Sequence, residues 1–261
     1  MYQGASIRAD RLRARLAPEG RAAVVEVAQE RRWKGLYLVA GIGALLTELL
    51  IPLQIVAFVA WPPPIDGTVA DWFQLFRQSP VIGLVSFDIA ILLEEVLLVP
   101  IIFALYFLLR RESESLMVIA SGLWLVSVAL FITSNTGFEM LALSQGYANA
   151  TSDAQQSTYL AAGQAMLASY LEQGSAFLMG YLLASLAGVL VGIAMLRNRV
   201  FSRWAAYAVI GGNVLGLGLF VPAIGVALSI GSVFVLIAWY LLTGWRLLRL
   251  PAETRPEAEL E

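Results

Sequence analysis

Apolar residues arrive in long blocks separated by short polar or charged turns, and each block is about as long as a bilayer is thick. One block runs from Pro80 to Arg110, P-V-I-G-L-V-S-F-D-I-A-I-L-L-E-E-V-L-L-V-P-I-I-F-A-L-Y-F-L-L-R. At about 1.5 Å per residue a helix of that length exceeds the roughly 30 Å of bilayer hydrocarbon, so it can span. Five further blocks read the same way: Leu36 to Trp61, Leu116 to Leu143, Ser175 to Arg197, Trp204 to Val221 and Val226 to Leu248. The pattern predicts an all-α polytopic membrane helical bundle of six transmembrane helices over 35–250. A basic cytoplasmic amphipathic arm over 1–34 precedes it, and a disordered cytoplasmic tail over 251–261 follows.

Several blocks carry internal punctuation. Pro52 and Pro100 each remove an N–H and clash with the carbonyl four residues back, those of Glu48 and Val96. Residues 62–79 read as a proline-rich loop and a short amphipathic turn in which Trp72, Phe73 and Phe76 suit a headgroup interface. Residues 144–158 are polar and hold no basic residue. An outer amphipathic turn with Ser169, Glu172 and Gln173 leads into the fourth span. In that span Ala176, Gly180, Ala184, Gly188 and Gly192 recur every fourth residue, a small-residue ridge that lets membrane helices approach closely.

Composition sharpens the class. Hydrophobic residues make up 59% of the chain and charged residues 14%, against roughly half and a quarter in soluble domains. With no cysteine and no histidine, thiol redox chemistry, disulfides and imidazole-held metals are excluded. The one lysine, Lys34, precedes the first span, which excludes a Schiff base on a late helix. Of the 17 Lys and Arg residues, six spans place all but Arg77 on the side of the N-terminus, so the positive-inside rule predicts both termini in the cytoplasm. Membrane lipids are the expected partners, and nucleic acid is not.

The candidate chemistry lies in the acids. Glu48, Glu94 and Glu95 fall near mid-membrane, while Asp88, Asn135, Glu139 and Glu172 lie toward the outer ends of their spans. Seven residues separate Asp88 from Glu95, so helical spacing predicts one shared face. Asn135 and Glu139, four apart, are predicted to share another. Glu94 projects about 100° from Glu95, so the two are not expected to line one site. Each acid in hydrocarbon costs about 2.5–3.5 kcal/mol or more, and no basic residue lies at that depth to neutralise it. They can be neutral donors bridging helices, proton carriers in an open cavity, or hard oxygen ligands for a cation. No resident cofactor is expected, a divalent cation held by carboxylates being the one allowance.

Two resemblances bear on function. The Glu94-Glu95 pair resembles the opening of the glutamate-dependent intramembrane CAAX-type proteases, E-E-x-x-x-R with later histidines, but Val99 in the sixth position and the absence of histidine exclude that machinery. The run L-L-E-E-V-L-L-V-P-I-I-F-A-L-Y-F-L-L-R-R-E-S-E-S-L, with L-A-L-S-Q-G-Y, S-A-F-L-M-G-Y-L-L and R-N-R-V-F-S-R-W, resembles the bacterial integral-membrane family known as domain of unknown function 4386, over about residues 36–250. That resemblance implies a multi-span protein of the bacterial inner membrane and brings no catalytic residue with it. The expected function is binding or transport of a small cation, proton or amphiphile through an acidic cavity. The alternatives are a carboxylate- or metal-dependent enzyme acting on a lipid-like substrate, and a sensor or scaffold that docks a cytoplasmic partner.

Overall fold

The computed structural model describes residues 33–253. The basic arm therefore lies outside the described residues except for Trp33 and Lys34, and so does most of the tail. Every regular element among the described residues is helical. In chain order they are α1 (Lys34–Ala60), α2 (Val69–Gln78), α3 (Pro80–Ser86), α4 (Ile89–Ser134), α5 (Gly137–Ala148), α6 (Asp153–Leu171), α7 (Ser175–Arg197), α8 (Arg203–Leu217), a 3-10 turn (Gly218–Phe220) and α9 (Gly225–Glu253).

Helix α4 is a hairpin. A straight helix of its 46 residues would hold its ends roughly 69 Å apart. Instead Asn135, just past its C-terminus, donates from Nδ2 to the carbonyls of Phe87 at 2.9 Å and Asp88 at 3.0 Å, just before its N-terminus. The fold-back falls at Ser113, whose φ of -147° and ψ of 48° leave the helix. It lies in the stretch Arg110-Arg111-Glu112-Ser113-Glu114, whose charges cannot stay in hydrocarbon. The two arms, about 36 and 31 Å long at 1.5 Å per residue, run antiparallel.

Two predicted helices are broken where the sequence pattern runs on. The Pro80–Arg110 helix is interrupted at Phe87 and Asp88, and Asp88 takes left-handed backbone, φ 56° and ψ 39°. Asp88 therefore caps α4 from outside instead of sharing a continuous helix with Glu95. The Leu116–Leu143 helix ends at Ser134, and the extended backbone of Asn135 turns the chain into α5. The face predicted for Asn135 and Glu139 accordingly does not exist. The fifth predicted block is α-helical only to Leu217, and the 3-10 turn carries it on to Phe220. By contrast α7 begins at Ser175 as predicted, and α9 extends past Leu248 to Glu253.

Small residues set the helix crossings. A Cβ on Gly41 would fall 3.1 Å from the carbonyl oxygen of Gly244, so α1 and α9 touch backbone to backbone there. On α7 the predicted ridge faces α4 at Gly180 and α8 at Gly188 and Gly192, and a Cβ on Gly192 would lie 2.4 Å from Ile210 Cγ1 and 3.1 Å from the Ala206 carbonyl oxygen. Ser127 Oγ donates to the Gly180 carbonyl at 2.9 Å, tying α4 to α7. Around this core, large apolar side chains point outward, with Leu49, Leu53, Val56 and Val59 on α1 and Val226 and Phe234 on α9 each more than 60% exposed. An aqueous surface penalises such a display, and lipid does not. Four helical stretches are long and apolar enough to cross a bilayer: Lys34–Ala60, Ile89–Ala148, Asp153–Arg197 and Gly225–Pro251. The chain thus has the build of a helical membrane protein.

A second, smaller core sits at one end. Trp72, Phe73 and Phe76 of α2 are fully buried against Phe87, Met140 of α5 and Leu167 of α6. Trp72, Phe73 and Phe76, predicted for a headgroup interface, thus build the inside of a cap made from α2, α3, α5 and α6. Asp71 in the first turn of α2 accepts from the backbone N–H and the hydroxyl of Thr68, both at 2.7 Å, which stabilises that end and holds its carboxyl below the ordinary Asp range.

Candidate functional site

The folded chain stacks three hollows along the bundle. At the end opposite the cap, the start of α1, the α4 turn, the α7–α8 loop and the last turns of α9 surround a basic hollow of about 400 Å³. Half-way along lies an acidic one of about 210 Å³. Beneath the cap is a polar vestibule of about 400 Å³.

Three of the seven predicted site residues meet in the central cavity: Glu48 of α1 with Glu94 and Glu95 of α4. Glu94 and Glu95 thus do line one site, contrary to the helical-wheel expectation. Adjacent side chains project about 100° apart, and a cavity as wide as the gap between α1, α4 and α9 receives both. Glu48 is 8% exposed, and neither of its carboxylate oxygens has a hydrogen-bond partner. Glu95 Oε2, Thr47 Oγ1 and Trp239 Nε1 are likewise buried without a partner. Leaving such atoms dry and unpaired costs about 1–3 kcal/mol each, more where charge is involved. Five aromatic residues, Trp124, Phe131, Tyr181, Trp239 and Tyr240, share the wall with aliphatic side chains and with Ser185 and Asn213. The indoles of Trp124 and Trp239 lie 5.9 Å apart, and Trp239 and Tyr240 4.6 Å apart. Among the described residues no three acids are grouped as a metal ion would require.

Comparison with family models, curated proteins and solved structures found no match.

Asp88 and Asn135 line the vestibule instead. The Asp88 carboxylate accepts from Gln54 Nε2 through one oxygen and from the Tyr170 hydroxyl through the other, at 2.9 Å for the tyrosine. These bonds join α1, the α4 hinge and α6. Asn135 serves the same hinge, since its Nδ2 bridges Phe87 and Asp88 while its Oδ1 accepts from the Gly137 N–H at 3.1 Å. Both side chains pin a bend. Glu139 and Glu172 are exposed, on the first turn of α5 and at the end of α6, and line neither hollow.

A left-handed residue with a carboxylate committed on both sides is sensitive in a defined way. Asn tolerates that backbone and keeps one acceptor, whereas a β-branched residue does not. We expect Asp88→Asn to leave thermal unfolding of the purified protein nearly unchanged. Asp88→Val should destabilise it by about 2–4 kcal/mol, from strain plus lost hydrogen bonds.

Vestibule and cavity are neighbours. Ile91 lines the vestibule and Glu95, one turn on, the cavity; Phe177 and Tyr181 on α7 repeat that relation. Between them Phe131 and Phe177 meet edge to face with centroids 5.3 Å apart, and Tyr181 stacks on Phe177 at 6.1 Å. Aromatic rings thus form the partition. The aromatic wall has one signal in the sequence. Trp124 and Trp239 fall in mid-span, away from the interfacial belts where membrane tryptophans gather.

Proposed function

We propose that the protein binds a cation, in particular a small organic ammonium or other amphiphilic cation, in the mid-bilayer cavity of Glu48, Glu94 and Glu95. The observation that carries this reading is the set of buried, unpartnered atoms on the cavity wall: both Glu48 oxygens, Glu95 Oε2, Thr47 Oγ1 and Trp239 Nε1. Three carboxyls supply charge, and the faces of Trp124, Trp239 and Tyr240 suit a cation whose surface is apolar. The volume suffices, since a cavity of about 150 Å³ already admits benzene. A proton is the smallest occupant the same carboxyls can take, and proton and organic cation would then compete.

The proposal includes a six-span arrangement, made by α1, the two arms of α4, α7, α8 with its 3-10 turn, and α9. The α4 fold-back supports it, as does the gathering of Arg110, Arg111, Arg197, Arg199 and Arg246 at one end. By the positive-inside rule that end faces the cytoplasm and the vestibule opens outward. Placement in the bacterial inner membrane, among proteins like domain of unknown function 4386, belongs to the same proposal and rests on the residues quoted above. Entry from the vestibule past Phe131 and Phe177 would make the protein a carrier or receptor for the cation.

Titrating the purified protein with tetramethylammonium and tetraethylammonium tests the reading, with tryptophan emission as the signal, since two of the seven tryptophans, Trp124 and Trp239, are on the cavity wall. Saturable quenching that weakens as pH falls supports it; no saturable change with either cation between pH 6 and pH 9 contradicts it. If the aromatic partition gates entry, Phe177→Ala should speed the approach to equilibrium severalfold in stopped-flow mixing and leave the equilibrium affinity within about a factor of three.

A further inference from the structure

The basic hollow is independent of the acidic cavity and does not rest on the reading given for it. Five arginines line it: Arg110 and Arg111 at the α4 turn, Arg197 and Arg199 where α7 ends, and Arg246 on α9. Glu112 is the one acid on its wall. Positive loops alone would satisfy topology wherever they lay. Here, however, three separate parts of the chain converge on one concavity, and their mutual repulsion opposes that convergence.

The floor is held in place. Asn198 donates from Nδ2 to the Leu108 carbonyl at 3.3 Å and accepts the Val200 N–H at 2.7 Å, while Arg246 Nε donates to the Val200 carbonyl at 2.8 Å. Arg110 lies over the rings of Phe107 at 5.0 Å and Tyr106 at 5.6 Å, and Trp33 stacks on Phe107 at 3.9 Å. These contacts fix the backbone and one guanidinium. Among the described residues no carboxylate pairs with Arg110, Arg197 or Arg199.

We infer that this hollow is a binding site for a phosphate-bearing ligand. Guanidinium forks match phosphate oxygens two at a time, and a ligand with one or two negative charges offsets the like charges of Arg110, Arg197 and Arg199. Two sources supply that chemistry at a membrane surface, the headgroup of an anionic phospholipid and a soluble phosphate compound. Phe107, half-buried beneath Arg110, forms part of the apolar side of the hollow.

The test uses the full chain and the exposed pair Arg197 and Arg199, which α7 does not need for packing. One arm measures binding of pyrophosphate to detergent-solubilised protein by calorimetry. The other compares thermal unfolding in nanodiscs of phosphatidylcholine alone and with phosphatidylglycerol. Binding or stabilisation in either arm that falls at least tenfold in apparent affinity in the Arg197→Gln/Arg199→Gln double variant, and is partly restored in Arg197→Lys/Arg199→Lys, supports the site. The responding arm identifies the source. No effect in either arm, or an equal effect in wild type and the glutamine variant, overturns it. Far-ultraviolet circular dichroism of the variant confirms that any loss is not unfolding.

Discussion

Glu95→Gln is expected to weaken tetraethylammonium binding by about ten- to a hundredfold, the equivalent of the 1.5–3 kcal/mol carried by a charged contact. The change is close to isosteric, so it removes charge and leaves cavity volume and helix packing as they are. Glu48→Gln should act the same way, because both Glu48 oxygens are buried without a partner. Glu139→Gln and Glu172→Gln serve as controls. Both side chains are exposed, and their replacement should leave affinity within about twofold, as surface changes away from a site normally do. Equal losses in all four variants would mean that net charge, not the cavity, governs the response.

Gly192→Leu should damage the α7–α8 packing severely. Its Cβ would meet Ile210, Val209 and the backbone carbonyl of Ala206 on α8, the last at 3.1 Å. A side chain can turn aside, but a carbonyl moves only with its helix, so α7 and α8 must separate. Overpacking costs about 1–3 kcal/mol where a core can adjust, and the loss here should reach or exceed the upper end. The measurable result is a lowered midpoint of thermal unfolding in detergent and a smaller monodisperse fraction. Gly122→Leu is the control, since nothing lies within 4 Å of a Cβ built there.

The two mutations mark how far the fold could be read from the chain. The α7 ridge was legible because spacing by four along one helix is a local property, and the same is true of the start of α7 at Ser175. The basic turns were legible because charge cannot remain in hydrocarbon. The breaks at Asp88 and Asn135 were not. Asp88 lies inside an apolar run and Asn135 in the short polar stretch Thr133-Ser134-Asn135-Thr136-Gly137 of a predicted span, and the chain bends there because each residue finds partners far away in sequence, Gln54 and Tyr170 for Asp88 and the Phe87 carbonyl for Asn135. No local rule reports such partners.

The site divides along the same line. That Glu48, Glu94 and Glu95 share a depth follows from counting residues, so they were found together. Helical spacing separated Glu94 from Glu95 because it describes directions from one helix and says nothing of how wide a cavity its neighbours leave. Asp88 and Asn135 were selected for polarity and depth, and their side chains turn out to be committed to a hinge. Glu139 followed from a span that the chain leaves at Ser134, and Glu172 from the outer turn before Ser175, where its side chain is exposed. The aromatic wall needed α9 brought against α4, a long-range fact.

Because the chain has no cysteine, introduced thiols report without background, and thiols react as thiolates only where water reaches them. Single cysteines at Glu48, Glu94 and Glu95, compared with Leu49 and Leu53 on the outward face of α1, can be exposed to 2-aminoethyl methanethiosulfonate in reconstituted vesicles. The account predicts modification at Glu94 and Glu95 at least tenfold faster than at Leu49 and Leu53, slowed by tetraethylammonium. Modification of Leu49 and Leu53 at the same rate, or none at any of the three acidic positions, would contradict a wet carboxylate cavity within the bundle.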